Sequence, residues 1–234
     1  MSVRCCCNES REDRAAALVA KGMAKAGCAA GQSVTLYRPT TATDPLQQAP
    51  VASLSVLFDI AATMPAVSPA VWGHPVAYAM GDITQMRVGD YLVTQASSVI
   101  PGVVADTYFI ARIDLSRPAL VVRTNAVIDV LESDPTSDNE TVGYRQPEGP
   151  VASKDVTVAT GWPVSLIAHG GSSPPTHLGT DVPRGSYSLM MPAIPGVLIY
   201  SGLRFRDATG TDYHTSSVEL SEFGVRLSLL EDRV

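Results

Sequence analysis

The four cysteines of this chain offer the first test for site chemistry. Cys5, Cys6 and Cys7 are consecutive, and Cys28 lies further along the chain. Adjacent thiols cannot surround a tetrahedral zinc ion, which takes ligands about two to four residues apart and a second pair elsewhere. The three consecutive thiols are instead candidates for disulfides between neighbouring subunits in an oxidising environment. The alternative is that they stay reduced and take no part in chemistry.

The histidines form no recognisable catalytic motif. His74, His169, His177 and His214 occur outside any HExxH pattern or close pair. The stretch Ala168-His169-Gly170-Gly171 resembles the loop that builds an oxyanion hole in some esterases, but that site requires a GxSxG nucleophile, which the chain lacks. A Cys–His pair brought together by folding stays open. A hydrolase would need turnover that is abolished by changing His169, His177 or His214.

Carboxylates cluster in two places, "LESDPTSDNE" and "LSEFGVRLSLLEDRV". The first lacks the ordered Asp spacing of a calcium-binding loop and is explained most simply as a solvated surface, with loose calcium binding as the alternative. No GxxxxGK[ST] or GxGxxG sequence is present to hold a phosphate. We therefore expect a protein that is not an enzyme and that has no metal site and no cofactor.

Composition favours short strands joined by many turns. The 234 residues include 18 Gly and 17 Pro, and charged residues make up only 17%. A net charge of −6 argues against sequence-independent binding of nucleic acid, which needs clustered Lys and Arg. No run of about 18 apolar residues is present to span a membrane, and the N-terminus has no secretory signal. We expect synthesis in the cytoplasm and no membrane partner.

One helix is predicted near the N-terminus, within residues 1–31. Ser10 and Asp13 form a variant of the capping box, and Gly27 is a natural C-terminal stop. The apolar residues recur at helical spacing in a narrow, alanine-rich stripe that permits close approach to another helix or barrel. We interpret this segment as a docking helix with four contact residues: Ala15, Leu18, Val19 and Met23.

The remainder predicts a mainly β chain, in which the helix is followed by two small β-barrel or β-sandwich units. The first β domain spans residues 32–133, a polar linker or loop spans 134–159, and the second β domain spans 160–234. Within the first, the proline-rich segment 42–76 is interpreted as a long packed connection without regular structure.

Similar blocks in the two halves indicate an internal duplication. Tyr108 of "DTYFIARIDLS" corresponds to Tyr213 of "TDYHTSSVELS", and Gly89 corresponds to Gly202. A third block pairs "QSVTLYRPT" with "GWPVSLIAHGG". Because the three blocks occur in the same order, duplication is the favoured explanation.

The organisation resembles that of structural proteins in the neck of tailed bacteriophages, which close the head and join it to the tail. The residues that carry the resemblance are a helix followed by "VTLYRPT" (34–40), a "VGD" turn (88–90), and the hairpin residues Asp207, Gly210 and Tyr213. The triple cysteine, the proline-rich insertion and the second barrel depart from the pattern.

The resemblance implies a structural protein of the virion, made in the host cytoplasm. It implies a homo-oligomeric ring of about six or twelve subunits that contacts portal, adaptor or tail proteins, with DNA only passing through the lumen. The alternatives are a tail terminator, collar or baseplate protein, and a carbohydrate-binding β-sandwich module. Aromatic residues are only 6% of the chain, which argues against the carbohydrate-binding alternative because such modules usually present aromatic platforms.

Overall fold

A computed structural model describes residues 10–59, 75–96, 104–114, 117–133, 155–169 and 185–232. The chain divides into two compact units. The first contains Met1–Arg38 and Ala49–Arg123, and the second contains Pro39–Gln48 and Thr124–Val234. The expected fold class is confirmed, since these described residues are mainly β, with one N-terminal helix followed by two six-stranded barrels.

Helix α1 spans Arg11–Ala30 and belongs to the first unit. The Ser10 side chain accepts a hydrogen bond from the Asp13 backbone N–H at 3.0 Å, and the Asp13 carboxylate accepts one from the Ser10 N–H at 3.2 Å, so the predicted capping box is present. The helix does not stop at Gly27 as predicted. Gly27 is buried where the helix backbone passes the backbone oxygens of Ser55 and Met80. Glycine is therefore required there for close packing, and the helix ends at Gly31.

The first unit is a closed antiparallel barrel in which the strands follow the order β1-β2-β3-β6-β5-β4. Its strands are β1 Gln32–Tyr37, β2 Ala52–Asp59, β3 Val76–Met80, β4 Tyr91–Thr94, β5 Thr107–Arg112 and β6 Ala119–Arg123. Alternating inward residues, among them Val34, Leu36, Leu92 and Ile110, form its core. Strand β2 lies inside the segment predicted to be an irregular connection, so that prediction was wrong for residues 52–59.

The second unit is also a closed antiparallel barrel, with strands in the order β10-β11-β12-β9-β8-β7. Its strands are β7 Ala126–Ser133, β8 Asp155–His169, β9 Ser186–Met191, β10 Arg204–Asp207, β11 Asp212–Ser221 and β12 Gly224–Glu231. Trp162 and Phe205 are fully buried in it. The segment Pro39–Gln48 belongs to this unit, where the Trp162 indole N–H donates to the Ala42 carbonyl at 2.7 Å and Thr43 bridges to Thr160.

The two barrels have the same topology, and the β4–β5 pair of the first has the same register as the β10–β11 pair of the second. When β1–β6 are set against β7–β12 in chain order, every pair of neighbouring strands in one barrel has its counterpart in the other. In β4 and β5, Leu92 pairs with Tyr108; in β10 and β11, Phe205 pairs with Tyr213. The predicted correspondence of Tyr108 with Tyr213 therefore describes equivalent positions in the two ladders.

One irregularity recurs at the equivalent position in both barrels, whereas the two register shifts in the β7–β8 ladder have no counterpart in the β1–β2 ladder. The β5–β6 ladder shifts register between Ile110 and Arg112, and the β11–β12 ladder shifts between Thr215 and Ser217. A bulge inserts one extra residue and bends its strand, so its recurrence at the equivalent position of both barrels supports internal duplication.

The predicted domain boundaries differ from the structural ones. Strand β7, assigned to the first domain, lies in the second barrel, and residues 155–159 of the predicted linker lie in β8. The third repeated block also needs correction, because the counterpart of β1 is β7 whereas "GWPVSLIAHGG" in β8 corresponds to β2. Alternation of apolar and polar residues gives each such strand the same pattern, so the pattern alone could not tell them apart.

Candidate interaction surface

The four predicted docking residues of helix α1 fall on two different faces. Met23 is buried against the first barrel, where it joins the core. Ala15, Leu18 and Val19 are exposed, and Leu18 has 71% of its surface open to solvent. One face therefore fixes the helix to its own barrel, and on the other Leu18 is largely open to solvent.

The exposed face of α1 combines an apolar side chain with basic ones. Leu18, Lys21 and Lys25 are exposed and recur at helical spacing, so they lie along one side of the helix. Gly22, one turn after Leu18, has open space at its side-chain position, because a Cβ there would meet no atom within 4 Å. We call Leu18, Lys21, Gly22 and Lys25 the helix face.

A cleft on the second barrel forms a second surface with exposed apolar groups. Its volume is about 320 Å³. Leu198 is 86% exposed, and Tyr200 is 46% exposed. The cleft is lined by seven residues: Glu132, Val158, Gly196, Val197, Leu198, Tyr200 and Leu203. We call this surface the acidic cleft, because Glu132 supplies its one ionisable carboxylate.

The geometry of the acidic cleft is set by a turn and a side-chain hydrogen bond. Gly196 has a φ of 76°, which suits glycine, and the Val197 N–H donates to the Ile194 carbonyl at 3.2 Å. The Tyr200 hydroxyl donates to Glu132 Oε1 at 2.6 Å, and this hydrogen bond raises the pKa of Tyr200. Tyr200 and Glu132 therefore present a neutral phenol next to a carboxylate at the surface.

In the first barrel the equivalent place is closed by an ion pair. The register places Arg38 where the second barrel has Glu132, and Asp90 where it has Leu203. Arg38 Nε and Nη2 donate to the two carboxylate oxygens of Asp90, at 2.9 and 2.7 Å, and Nη2 also donates to the Gln85 carbonyl at 2.9 Å. Hydrogen bonding to Asp90 raises the pKa of Arg38 further above its ordinary value.

Each barrel contains a tyrosine whose side chain lies beside an aspartate. Burial and the hydrogen bond to Asp207 raise the pKa of Tyr213, while Asp207 also accepts N–H bonds from Thr209 and Thr211. In the first barrel, burial and the Asp106 charge raise the pKa of Tyr108, the equivalent of Tyr213. A tyrosine beside an aspartate thus recurs at this position in both barrels, and we assign it a structural role.

An ion-pair network lies on β10 and β11. Arg204 Nη1 lies 2.7 Å from Asp155 and Arg206 Nε lies 2.6 Å from Asp212. His214 Nδ1 is 2.6 Å from Asp232. The histidine is therefore held by a carboxylate within this network, and among the described residues no set of three or more His, Cys, Asp or Glu is arranged to hold a metal ion.

Several predicted site residues lie outside the part of the chain that the structure describes. These are Cys5, Cys6 and Cys7, the disulfide candidates, together with His74 and His177; the side chain of His169 also lies outside it. Cys28 is exposed, near the end of α1, and is a free thiol.

Sequence reasoning missed the acidic cleft. Within the run "GVLIYSG" (196–202) only Gly202 was interpreted, as the counterpart of Gly89, although apolar residues between turn glycines also fit a loop that exposes some of them. Proline and glycine at 195 and 196 were the available signal.

Comparisons with known proteins do not identify this chain. No protein-family model matches it, and neither the curated proteins nor the solved structures gave a match. Over the described ranges, the only helix, α1, is not apolar enough over a sufficient length to cross a membrane.

Proposed function

We propose that this protein is a structural component of a tailed-phage virion that forms a ring in the neck, where it joins head to tail. Its role is assembly, not catalysis. Its partners are further copies of itself and the neighbouring portal, adaptor or tail proteins, and DNA only passes through the lumen of the ring. The protein is made in the host cytoplasm and ends in the virion.

The observation that carries the proposal is the contact between two motifs on which the resemblance rests. Arg38 belongs to "VTLYRPT" and Asp90 to the "VGD" turn, and the two side chains form a bidentate pair with Asp90 1% exposed. Two motifs that lie far apart in the sequence and are joined by one buried ion pair form parts of a single structural site. That coupling is expected if the motifs define a fold family and not if each arose by chance.

The two exposed surfaces supply further support. A ring is built from heterologous contacts, in which one patch of a subunit binds a different patch of the next. The helix face and the acidic cleft are two unlike patches of this kind. A net charge of −6 also suits a lumen through which DNA passes, because like charges repel.

A tail terminator, collar or baseplate protein would use the same barrels and would also form a ring. The position of the protein in the particle distinguishes these three alternatives from a protein of the neck.

Native mass measured on the purified protein tests the ring. We expect a closed assembly of about six or twelve copies of the 24.7-kDa chain. The measurement is repeated with reductant: an unchanged ring is held by packing, whereas a ring lost on reduction is held by disulfides, for which Cys5, Cys6 and Cys7 are the candidates. Open, length-variable polymers would contradict a closed ring.

A further inference from the structure

We propose that the acidic cleft of one copy binds the helix face of a second copy. The inference rests on the proposed ring, for which it names the contact between neighbours. Each subunit would offer its helix to one neighbour and its cleft to the other.

Charge complementarity is the first argument. Residues 10–30 contain four basic and two acidic residues, a net +2, in a chain whose net charge is −6. The rest of the chain therefore carries −8, and the helix is a local basic exception. Lys21 and Lys25 on the helix face oppose the carboxylate of Glu132 in charge, which favours correct encounter between copies.

Apolar complementarity is the second argument. Leu18 and Leu198 are among the most exposed large hydrophobic residues described, at 71% and 86%. Gly22 leaves a recess beside Leu18 that an incoming side chain such as Leu198 can enter without meeting a Cβ.

The first barrel supplies the third argument. There, Arg38 places a guanidinium across from the loop that precedes β4 and binds its Gln85 carbonyl. At the equivalent position the second barrel carries Glu132, and the place stays open as a cleft. The second barrel thus has a carboxylate where the first has a guanidinium, and this carboxylate is available to a lysine from another copy.

The helix is anchored in an orientation that leaves this face available. Met23 and Gly27 pack against the first barrel, so Leu18, Lys21 and Lys25 lie on the opposite side of α1. Docking therefore needs no unfolding or rearrangement of the helix.

A charge-exchange experiment tests the contact. One variant carries Glu132→Lys and the other carries Lys21→Glu with Lys25→Glu. Each variant alone opposes like charges at every contact, so we expect its assembly to weaken at least about tenfold in sedimentation velocity over a concentration series. An equimolar mixture restores opposite charges at every contact and should assemble, with the two variants alternating around the ring.

The matched control is Glu219→Lys, which makes the same charge change at another exposed carboxylate. It should assemble as the unchanged protein does. Circular dichroism of each variant confirms that the barrels are folded, as expected for substitutions at exposed positions.

The results distinguish failure of the proposed contact between the acidic cleft and the helix face from failure of the proposed ring. Variants that assemble normally, or a mixture that stays dissociated, would overturn the contact while leaving a ring built by other surfaces. An unchanged protein that is monomeric throughout the series would overturn the self-contact. The neck role would then depend on whether the protein is found at the head–tail junction.

Discussion

Removal of Arg38 is the sharpest perturbation of the first barrel. The substitution Arg38→Met keeps most of the aliphatic stem and removes the guanidinium. Asp90, whose side chain is 2% exposed, then loses both of its side-chain donors and keeps the Arg87 backbone N–H at 2.8 Å. A buried carboxylate with one remaining donor is poorly compensated.

The structure sets the size of the effect. Deleting one partner of a buried ion pair costs about 3–5 kcal/mol, because the other charge is left without compensation. The Arg38 side chain is 24% exposed, so water can approach the place it vacates. We therefore expect the lower end of that range, about 3 kcal/mol of unfolding free energy.

The second barrel suggests a second substitution that should restore the stability lost in Arg38→Met. It has Leu203, 1% exposed, at the position equivalent to Asp90. The double variant Arg38→Met with Asp90→Leu removes both charges and should lie within about 1 kcal/mol of the unchanged protein, since apolar replacement of a buried pair is often neutral. Urea unfolding followed by far-UV circular dichroism, at a concentration where the protein is dissociated, measures both variants.

Two results would refute this reasoning. If Arg38→Met lowers stability by less than about 1 kcal/mol, the pair behaves as a surface salt bridge and not as a buried one. If the double variant is no more stable than Arg38→Met, the cost does not come from the uncompensated Asp90 carboxylate.

Three further predictions are checked by the same unfolding measurements. Gly27→Ala should destabilise by about 1–3 kcal/mol because its Cβ meets barrel backbone, whereas Gly22→Ala, with open space, should stabilise by up to about 1 kcal/mol; equal effects would contradict the close packing. Trp162→Phe should cost about 2 kcal/mol through lost volume and the lost indole hydrogen bond to the Ala42 carbonyl, and a neutral change would contradict its role in the core. The hydrogen bond from Arg206 lowers the pKa of Asp212 below the ordinary value of 3.8, so the ionised carboxylate stabilises the fold above that pH, and this stabilisation is lost as the pH falls through the lower pKa of the folded state. Asp212→Asn should therefore be less stable at pH 7, and its stability should vary less with pH below about 4. An acid unfolding profile identical to that of the unchanged protein would contradict this linkage.

The sequence predicted the fold correctly at positions where a residue with a special backbone conformation or a special packing requirement occurs in both halves. Gly89 and Gly202 have φ values of 88° and 111°, which few other residues adopt, and each precedes an equivalent strand by two residues. Tyr108 and Tyr213 each begin a hairpin beside a carboxylate. Each of these requirements applies to one particular position and not to strands in general, so the recurring residues identified equivalent positions correctly.

The strand assignments failed where the pattern was generic. Strands β1, β2, β7 and β8 all alternate apolar and polar residues, so nothing local distinguished β7 from a strand of the first barrel. Prolines at 45 and 50 obscured β2, although they lie outside it and only flank it. Pairing partners, which only the folded chain reveals, decide such cases.

The sequence predicted which residues of α1 are apolar but not which of them are exposed, because burial on an amphipathic helix depends on what packs against it. Met23 and Leu18 belong to one apolar stripe in the sequence, yet the barrel covers the first and leaves the second exposed. The acidic cleft depends on the cross-strand placement of Glu132 against Tyr200, residues far apart in the chain. Such a contact has no signature in local sequence.

The central claim is tested most directly by locating the protein on particles. Tailed particles produced by the cell whose genome encodes this chain are labelled with an antibody raised against the purified protein and viewed by electron microscopy. The account predicts label confined to the junction between head and tail. Label on the tail tip or the head shell, or tailed particles that lack the protein, would contradict it.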